Sequence, residues 1–419
     1  MLSLFLAKRF FKNNIRKGGE VKSASPPALR VATAGIAVGL AVMIISICVV
    51  RGFQQEVRSK FTGFASHIEV IDINSLGSPE TYPVVTDAAL IDEVKKTPKV
   101  KHVQRFSQKM GILKTEDNFT GVALKGCGPE YDLQFIRSYL VEGKVPDFSD
   151  KTSSNNIVIS QTIADKLGLK VGSKVYSYYF ASTIKQRRFT VVGIYNTHLK
   201  QYDNAVVFTD LRTVNQLNQW LPDQSSGLEI QLESFDDIAE AQHYLATHVG
   251  GKVDKYKKTY SILPIQENPN TASVLSWLGL LDVNVMVILV IMMCVTGFAM
   301  ISGLLILILE RTSTIGVLKA LGATNTRIRH TFLWYAMFIV SKGLLYGNII
   351  GIALVLLQQF THIVQLNPDV YYVTYVPVEL NVWWIIGLNV ATLAITMLSL
   401  VLPSFLVSRV QPAKAIQFD

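Results

Sequence analysis

The residues of this chain best suited to act on a partner lie between Leu309 and His330, in LERTSTIGVLKALGATNTRIRH. Ile315, Leu318 and Leu321 recur every three residues, Val317 and Ala320 widen the stripe, and Glu310, Arg311 and Lys319 edge it with charge. The pattern predicts a short amphipathic helix with Gly316 inside it. Gly322 ends it, where a helix C-terminus takes a left-handed residue. Thr324 or Asn325 then caps a second helix. Such a segment does no covalent chemistry. Its apolar side must meet a membrane surface or a partner protein, and a helix held between two longer ones passes a push to both. An interfacial helix that only anchors a turn has the same pattern.

Covalent chemistry has little support elsewhere. The sequence holds no G-x-S-x-G, no H-E-x-x-H and no paired-cysteine metal spacing. The seven histidines are scattered, and His67 and His102 near strands read as ordinary structural residues. Cys48 and Cys294 fall in apolar runs and Cys127 stands alone, so cysteine reports neither a disulfide framework nor a compartment. Gly126-Cys127-Gly128 is a turn signal, and Asn118-Phe119-Thr120 matches a glycosylation pattern that is frequent by chance. No Walker A sequence is present; GGEVKS at 18–23 lacks the spacing. If ATP drives this protein, another chain hydrolyses it. No metal or cofactor is expected on this chain.

The elements that must hold the 309–330 segment follow from charge-free runs. Of 419 residues, 49% are apolar, and the formal net charge is +9. That is too apolar for an ordinary soluble protein, while the long apolar runs are too few for one that is all membrane. Val31–Val50, Val283–Leu309 and Leu380–Ser408 carry no charge, and Thr331–Thr361 is broken only by Lys342. About 20 helical residues cross roughly 30 Å, a bilayer core. The expectation is four transmembrane helices, at 29–54, 274–309, 326–360 and 381–408, with a coupling helix at 310–325. The length of the first run and of the charged stretch before it favours a retained anchor over a cleaved signal peptide. Lys342 reads as snorkelling toward water, and Asp282 has no partner legible in the sequence.

Lys8, Arg9, Lys12, Arg16, Lys17, Lys22 and Arg30 precede the first run, Arg311, Lys319, Arg327 and Arg329 fill the central segment, and Arg409 and Lys414 follow the last run. The stretch from His362 to Glu379 has no Lys or Arg. The positive-inside rule then predicts cytoplasmic segments at 1–28, 310–325 and 409–419. The connection 361–380 and the segment 55–273 fall outside.

Segment 55–273 is long enough for one large domain or two lobes, with SDKTSSNN (149–156) as a candidate boundary. Strand alternation appears at 67–73, 156–160, 174–180, 188–195 and 205–210, and helical patterns at 86–97, 161–169 and 234–248, the last with Ser234 and Asp237 as a start signature. The elements interleave without a strict βαβ rhythm, which predicts an α+β extracytoplasmic domain inserted between helices 1 and 2. Phe53, Val57 and Phe61 continue a helical face beyond the first run, and 273–284 does the same before the second. Both spans are expected to project into the domain.

Four segments resemble those of type VII ABC transporter permeases, the superfamily of MacB and FtsX, and among them most resemble the LolC/LolE lipoprotein-releasing subunits. VVRGFQQEVRSKFTGFASHIEV (49–70) is similar to their span-one exit, with its Gly-Phe pair. LERTSTIGVLKALGAT (309–324) resembles the superfamily's coupling segment. VYYVTYVPVELN (370–381) resembles the tyrosine-rich stretch ending in Pro-Val-Glu-Leu, and LPSFLVSRVQPAKAIQ (402–417) the closing segment.

The resemblance implies an inner-membrane dimer, with a second copy or a paralogue, bound to two ATPase subunits that hold ATP and Mg. It implies coupling through Glu310, Arg311, Ile315, Gly316, Leu318, Lys319, Leu321 and Gly322. It further implies an acyl-chain cavity near the first two spans, guessed at Ile44, Ile47, Val50, Phe53, Leu278, Leu281 and Val285. Cargo would pass from the bilayer to a periplasmic chaperone; no nucleic-acid partner is expected. The chaperone-capturing subunits carry a proline-containing hairpin, whereas SYYFASTIKQRRFTV (177–191) has no proline. That departure weakens a chaperone contact at Phe180, Lys185 and Arg187. MacB-like efflux and FtsX-like signalling are the alternatives; MacB-type chains usually carry an N-terminal ATPase, and only about 30 residues precede the first run here.

Overall fold

The computed structural model describes residues 27–78, 80–148, 153–179 and 184–405. They form two compact units. One takes the described residues up to Phe53, Gly279–Gln365 and those from Val376 on; the other takes Gln54–Leu278 with Leu366–Tyr375.

The principal helices are α1 (Pro27–Ala65), α2 (Ala88–Lys95), α3 (Gln161–Leu167), α4 (Leu211–Asn218), α5 (Ile238–His248), α6 (Ala272–Glu310), α7 (Thr312–Ala320), α8 (Asn325–Thr361) and α9 (Val382–Ser404). Helices α1, α6, α8 and α9 are long and apolar enough to cross a membrane. The 39 residues of α1, and the same number in α6, extend roughly 58 Å, about twice a hydrocarbon core.

In the membrane unit, α1 is the most buried of the four long helices. Small residues let its neighbours approach, which is how helices associate where no water drives them together. A Cβ on Gly343 of α8 would stand 2.8 Å from Ile36, one on Gly347 2.8 Å from the Ala37 carbonyl, and one on Gly351 3.2 Å from the Ala41 Cα. Asn348 and Asn389 join α8 to α9 by two reciprocal amide hydrogen bonds of 2.7 and 2.9 Å.

The strands are β1 (Ile68–Asp72), β2 (Val84–Val85), β3 (Val100–Lys114), β4 (Phe119–Cys127), β5 (Leu140–Gly143), β6 (Asn156–Ser160), β7 (Lys174–Tyr179), β8 (Lys185–Tyr195), β9 (Val206–Asp210), β10 (Gln224–Ser225), β11 (Gly227–Leu232) and β12 (Tyr260–Pro264). Among the described residues, ten of them make one mixed sheet in the order β12-β1-β11-β3-β4-β9-β6-β8-β5, with β7 pairing β3 and β8. The pairs β4–β9 and β6–β8 are parallel. Helices start directly from strand ends: Ser160, the last residue of β6, accepts from the Ile163 amide, and Asp210, the last of β9, accepts from the Thr213 amide. Both helices belong to the domain core with Leu113, Leu124, Phe189 and Val207.

The candidate boundary at 149–156 lies partly outside the described residues; β5 before it pairs β8 after it within the same sheet. One expectation needs correction. Ser234 does not start α5 directly. Its hydroxyl accepts from the Asp236 amide and caps a single 3-10 turn, after which α5 begins at Ile238.

Candidate functional site

The 309–330 segment folds as a clip. Helix α6 ends at Glu310, α7 follows after one residue, and Gly322 adopts φ +86°. The Ala323 amide donates to the Leu318 carbonyl at 2.9 Å and the Gly322 amide to the Lys319 carbonyl at 3.0 Å, the paired bonds of a Schellman cap. Thr324 stands at the N-cap of α8 without a side-chain cap bond.

The expected apolar stripe splits. Ile315 and Gly316 are buried, Ile315 against Leu307, Ile328, Phe332 and Tyr335 around a small cavity. Leu318 packs at the margin of that cluster. Leu321 is 79% exposed and Val317 48% exposed. The reason is geometric: two steps of three residues advance about 600°, so Leu321 points about 120° away from Ile315, whereas Val317 and Leu321, four apart, share a face. Glu310, Ala320 and Gly322 are exposed, and Arg311 and Lys319 are half-buried. Desolvation pushes the Lys319 ammonium below its ordinary value. The exposed apolar side chains are thus Val317, Ala320 and Leu321, with Glu310 nearby in sequence.

A second cluster sits in the membrane unit at the other end of the α1 span. The Glu379 amide donates to the Cys48 carbonyl at 3.0 Å. A Cβ on Gly52 would meet Val378 Cα at 2.7 Å and Glu379 N at 2.8 Å. The Gly-Phe pair and the Pro-Val-Glu-Leu stretch are therefore in contact. Asp282 has a partner that its sequence neighbours did not reveal: Arg51 Nη2 lies 3.8 Å from it, and the same guanidinium lies 5.1 Å from the Trp384 ring.

The residues guessed to line an acyl cavity are mostly closed over. Ile44 and Ile47 are packed with Leu40, Met43, Val355 and Leu388. Phe53 and Val285 are buried, and Val50 and Leu281 half-buried. Leu278 belongs to the domain unit, fully buried, and its carbonyl accepts from Gln54 Nε2 at 2.9 Å.

In the domain unit the end of α1 is clasped to the sheet. Lys125 Nζ donates to the Phe64 carbonyl, placing a cation at the negative end of the helix dipole. The same ammonium pairs with Glu229, whose other oxygen accepts from Gln104 Nε2 at 2.8 Å and Ser66 Oγ at 3.4 Å. Glu69 stands directly opposite Glu229 in the β1–β11 register. Burial first, and then the Glu229 charge, pushes the Glu69 carboxyl up to about 8. Phe64 stacks on Tyr202 with ring centres 4.4 Å apart.

Two of the three contact residues expected on the β7–β8 hairpin, Lys185 and Arg187, are half-buried. Lys185 Nζ donates to the Leu217 carbonyl at 3.1 Å, and Arg187 Nε to Asn155 Oδ1 at 2.6 Å. Phe180 lies outside the described residues, as does the closing 402–417 segment beyond Phe405. Among the described residues of this hairpin, Lys174, Tyr176, Ile184, Gln186 and Arg188 are exposed. No group of three His, Cys, Asp or Glu able to hold a metal occurs among the described residues. His67 Nδ1 accepts from the Leu232 amide at 3.3 Å and His102 Nε2 shares a 2.6 Å bond with the Glu130 carbonyl, both structural roles. Burial holds His67 down near 4, so it is neutral.

Comparison with known proteins matches this arrangement along the chain. Residues 31–248, just over half of it, match the family described as MacB-like periplasmic core domain, and residues 286–412 match the FtsX-like permease C-terminal family. The chain is 23% identical over 404 residues to the lipoprotein-releasing system transmembrane protein LolC of Xylella fastidiosa, covering 92% of each. It is 22% identical over 410 residues to LolE of Haemophilus influenzae, covering 91% of this chain and 92% of that one. The periplasmic region of MacB from Actinobacillus actinomycetemcomitans aligns at 14% identity and a TM-score of 0.33, covering 48% of this chain and 90% of that one. This multi-pass bacterial inner-membrane protein belongs to the MacB/FtsX superfamily of ABC transporter permeases, close to LolC and LolE.

Proposed function

We propose that this chain is the permease of an ABC transporter that uses ATP hydrolysis by a separate ATPase subunit, present in two copies, to extract lipoproteins from the inner membrane and pass them to a periplasmic chaperone. The observation that carries this reading is the likeness to lipoprotein-releasing chains over 92% of both lengths. The contact between Gly52 and the Pro377–Leu380 stretch supports it, since both segments were singled out by that resemblance.

In this reading the termini and α7 are cytoplasmic, and the permease works with a second copy or a paralogue. The ATPase, which binds the ATP and Mg, seats on Val317 and Leu321 of α7, with Glu310, Arg311 and Lys319 as the charged edge. Ile315, Gly316 and Leu318 fix α7 to α6 and α8, and Gly322 ends it, so that a stroke moves all three helices. Ile44, Ile47, Val50, Phe53, Leu281 and Val285 line a path for acyl chains when α1 and α6 part. Burial of an acyl chain stabilises it by about 0.8 kcal/mol per CH₂, so extraction needs an apolar host and ATP. A chaperone reaching the β7–β8 hairpin meets Tyr176, Ile184 and Arg188.

Depletion in the native host tests the function. Triacylated lipoproteins are expected to accumulate in the inner membrane. Normal lipoprotein sorting with drug hypersensitivity would instead support MacB-like efflux, and normal sorting with a failure of cell-wall hydrolase activation would support an FtsX-like relay.

A further inference from the structure

Lys60 lies on the domain part of α1 and is 3% exposed. A buried ammonium needs acceptors, since desolvating an unpaired charge is costly. Its Nζ donates to the Thr197 carbonyl at 2.9 Å and to the Tyr372 carbonyl at 2.7 Å, and stands 5.3 Å from the Tyr139 ring. Thr197 follows β8. Tyr372 lies in the connection between α8 and α9, of which Leu366–Tyr375 packs with the domain although the chain on either side of it packs with the membrane helices. One side chain therefore ties α1, the sheet and the α8–α9 connection together.

The surroundings hold this tie from each side. Phe61 meets Tyr202 and Tyr372 edge-on, at 5.8 and 6.3 Å between ring centres. The Tyr139 hydroxyl donates to Glu56, one turn before Lys60 on α1, at 3.3 Å. Tyr372 itself has φ +62°, a left-handed backbone that a bulky aromatic residue rarely adopts. Such a conformation persists where its neighbours over-determine it, and the carbonyl it presents is the one Lys60 takes.

We propose that Lys60 is the positioning residue that makes the α8–α9 connection move with α1 and the domain. Helix α8 begins at the clip and ends at this connection, so a stroke on α7 travels along α8 to residues 366–375 and passes from there to 197–204 through Lys60. The inference rests on the transporter reading above.

The test uses the complex purified with its ATPase and reconstituted in vesicles holding a fluorescent triacylated lipoprotein. K60M removes the donors at similar length. It is expected to lower lipoprotein released per ATP at least tenfold, with ATP hydrolysis within twofold of wild type; K60R, which keeps the donors, retains at least a third of the release. Because K60M also leaves two carbonyls without their donor, Y372P serves as a second variant. It cannot hold φ +62°, displaces the same carbonyl from the other side and leaves the sheet untouched, and the same uncoupling is expected.

A cargo-free arm separates this proposal from the transport reading. In wild type, a non-hydrolysable ATP analogue should alter amide hydrogen exchange in 366–375 and in 197–204 together; in K60M the change should stop at the connection. If wild type releases no lipoprotein, the cargo reading falls and the exchange arm alone decides Lys60. Unchanged release per ATP in both variants overturns the proposal. So does an analogue effect that leaves 197–204 unaltered in wild type, or that still reaches 197–204 in K60M.

Discussion

Gly52 and Val378 are in direct apposition: a Cβ on residue 52 would stand 2.7 Å from the Val378 Cα, closer than any side chain tolerates. Backbone, not a flexible side-chain tip, fills the space, so accommodation requires the 377–379 stretch to move and strains the bond from the Glu379 amide to the Cys48 carbonyl. Gly52→Ala is therefore expected to destabilise the full-length protein by about 1–3 kcal/mol, the usual range for overpacking. Thermal unfolding in detergent checks this; an unchanged midpoint would mean that the apposition is loose.

The split stripe of α7 separates two effects that a uniform stripe would confound. Leu321→Asp alters an exposed side chain and is expected to abolish capture of the ATPase while leaving thermal stability unchanged. Ile315→Ala removes a fully buried side chain and is expected to cost about 2–5 kcal/mol of stability. Gly316→Pro, inside α7, costs about 3 kcal/mol locally and is expected to lose ATPase capture or uncouple it. Pull-down of the ATPase beside a thermal scan of each variant reads both effects. Undiminished capture by Leu321→Asp would remove α7's outward face from the interface.

Glu69 predicts a pH dependence with a definite sign. Its carboxyl is raised from an ordinary 4.5 to about 8 in the folded domain. Folded protein therefore holds a proton that unfolded chain has lost, and the contribution to stability is full below about pH 4.5 and declines as pH rises through about 8. Glu69→Gln, neutral throughout, is expected to flatten that decline. The measurement is denaturation of full-length protein followed by domain tryptophan or proteolysis at pH 5, 7 and 9. An identical pH slope in wild type and variant would contradict the assignment.

Asn348 and Asn389 each donate to the other across α8 and α9. Replacing either with Leu leaves the remaining amide short of its partner, while replacing both removes the mismatch. A double-mutant cycle is expected to give a coupling of about 0.6–2 kcal/mol, the range for such bonds between membrane helices. Coupling near zero would show that the two amides find other partners.

How far the sequence could be read depended on whether one face or two are covered. Strands such as Asn156–Ser160 and Lys174–Tyr179 were visible, bounded by turn residues and rich in β-branched or aromatic side chains. The longest strand, Val100–Lys114, was missed, with its partner Phe119–Cys127. Its middle is covered on both sides: Gln104 reaches Glu229 in the clasp at the end of α1, while Ser107 donates to Asn215 of α4 on the other face. Polar residues buried on both faces erase the alternation that marks a half-exposed strand.

The spans were legible because a charge inside a bilayer is costly, so each charge-free run stands out. The clip was legible as a helix, but its outward face was not, since a three-residue spacing drifts around a 3.6-residue helix. Contacts between distant segments left no local signal. Nothing around Gly52 points to Val378, nothing around Arg51 points to Asp282, and Lys60 on an amphipathic helix reads as a solvated lysine until its two carbonyl partners are seen.

The most direct measurement of lipoprotein release uses the complex of this permease with its ATPase, in vesicles carrying a fluorescent triacylated lipoprotein and bathed in soluble periplasmic chaperone. Transfer of the lipoprotein to the chaperone that requires ATP, and that stops when ATP is replaced by a non-hydrolysable analogue, is the predicted result. ATP hydrolysis at an undiminished rate with the lipoprotein still in the vesicles would contradict it.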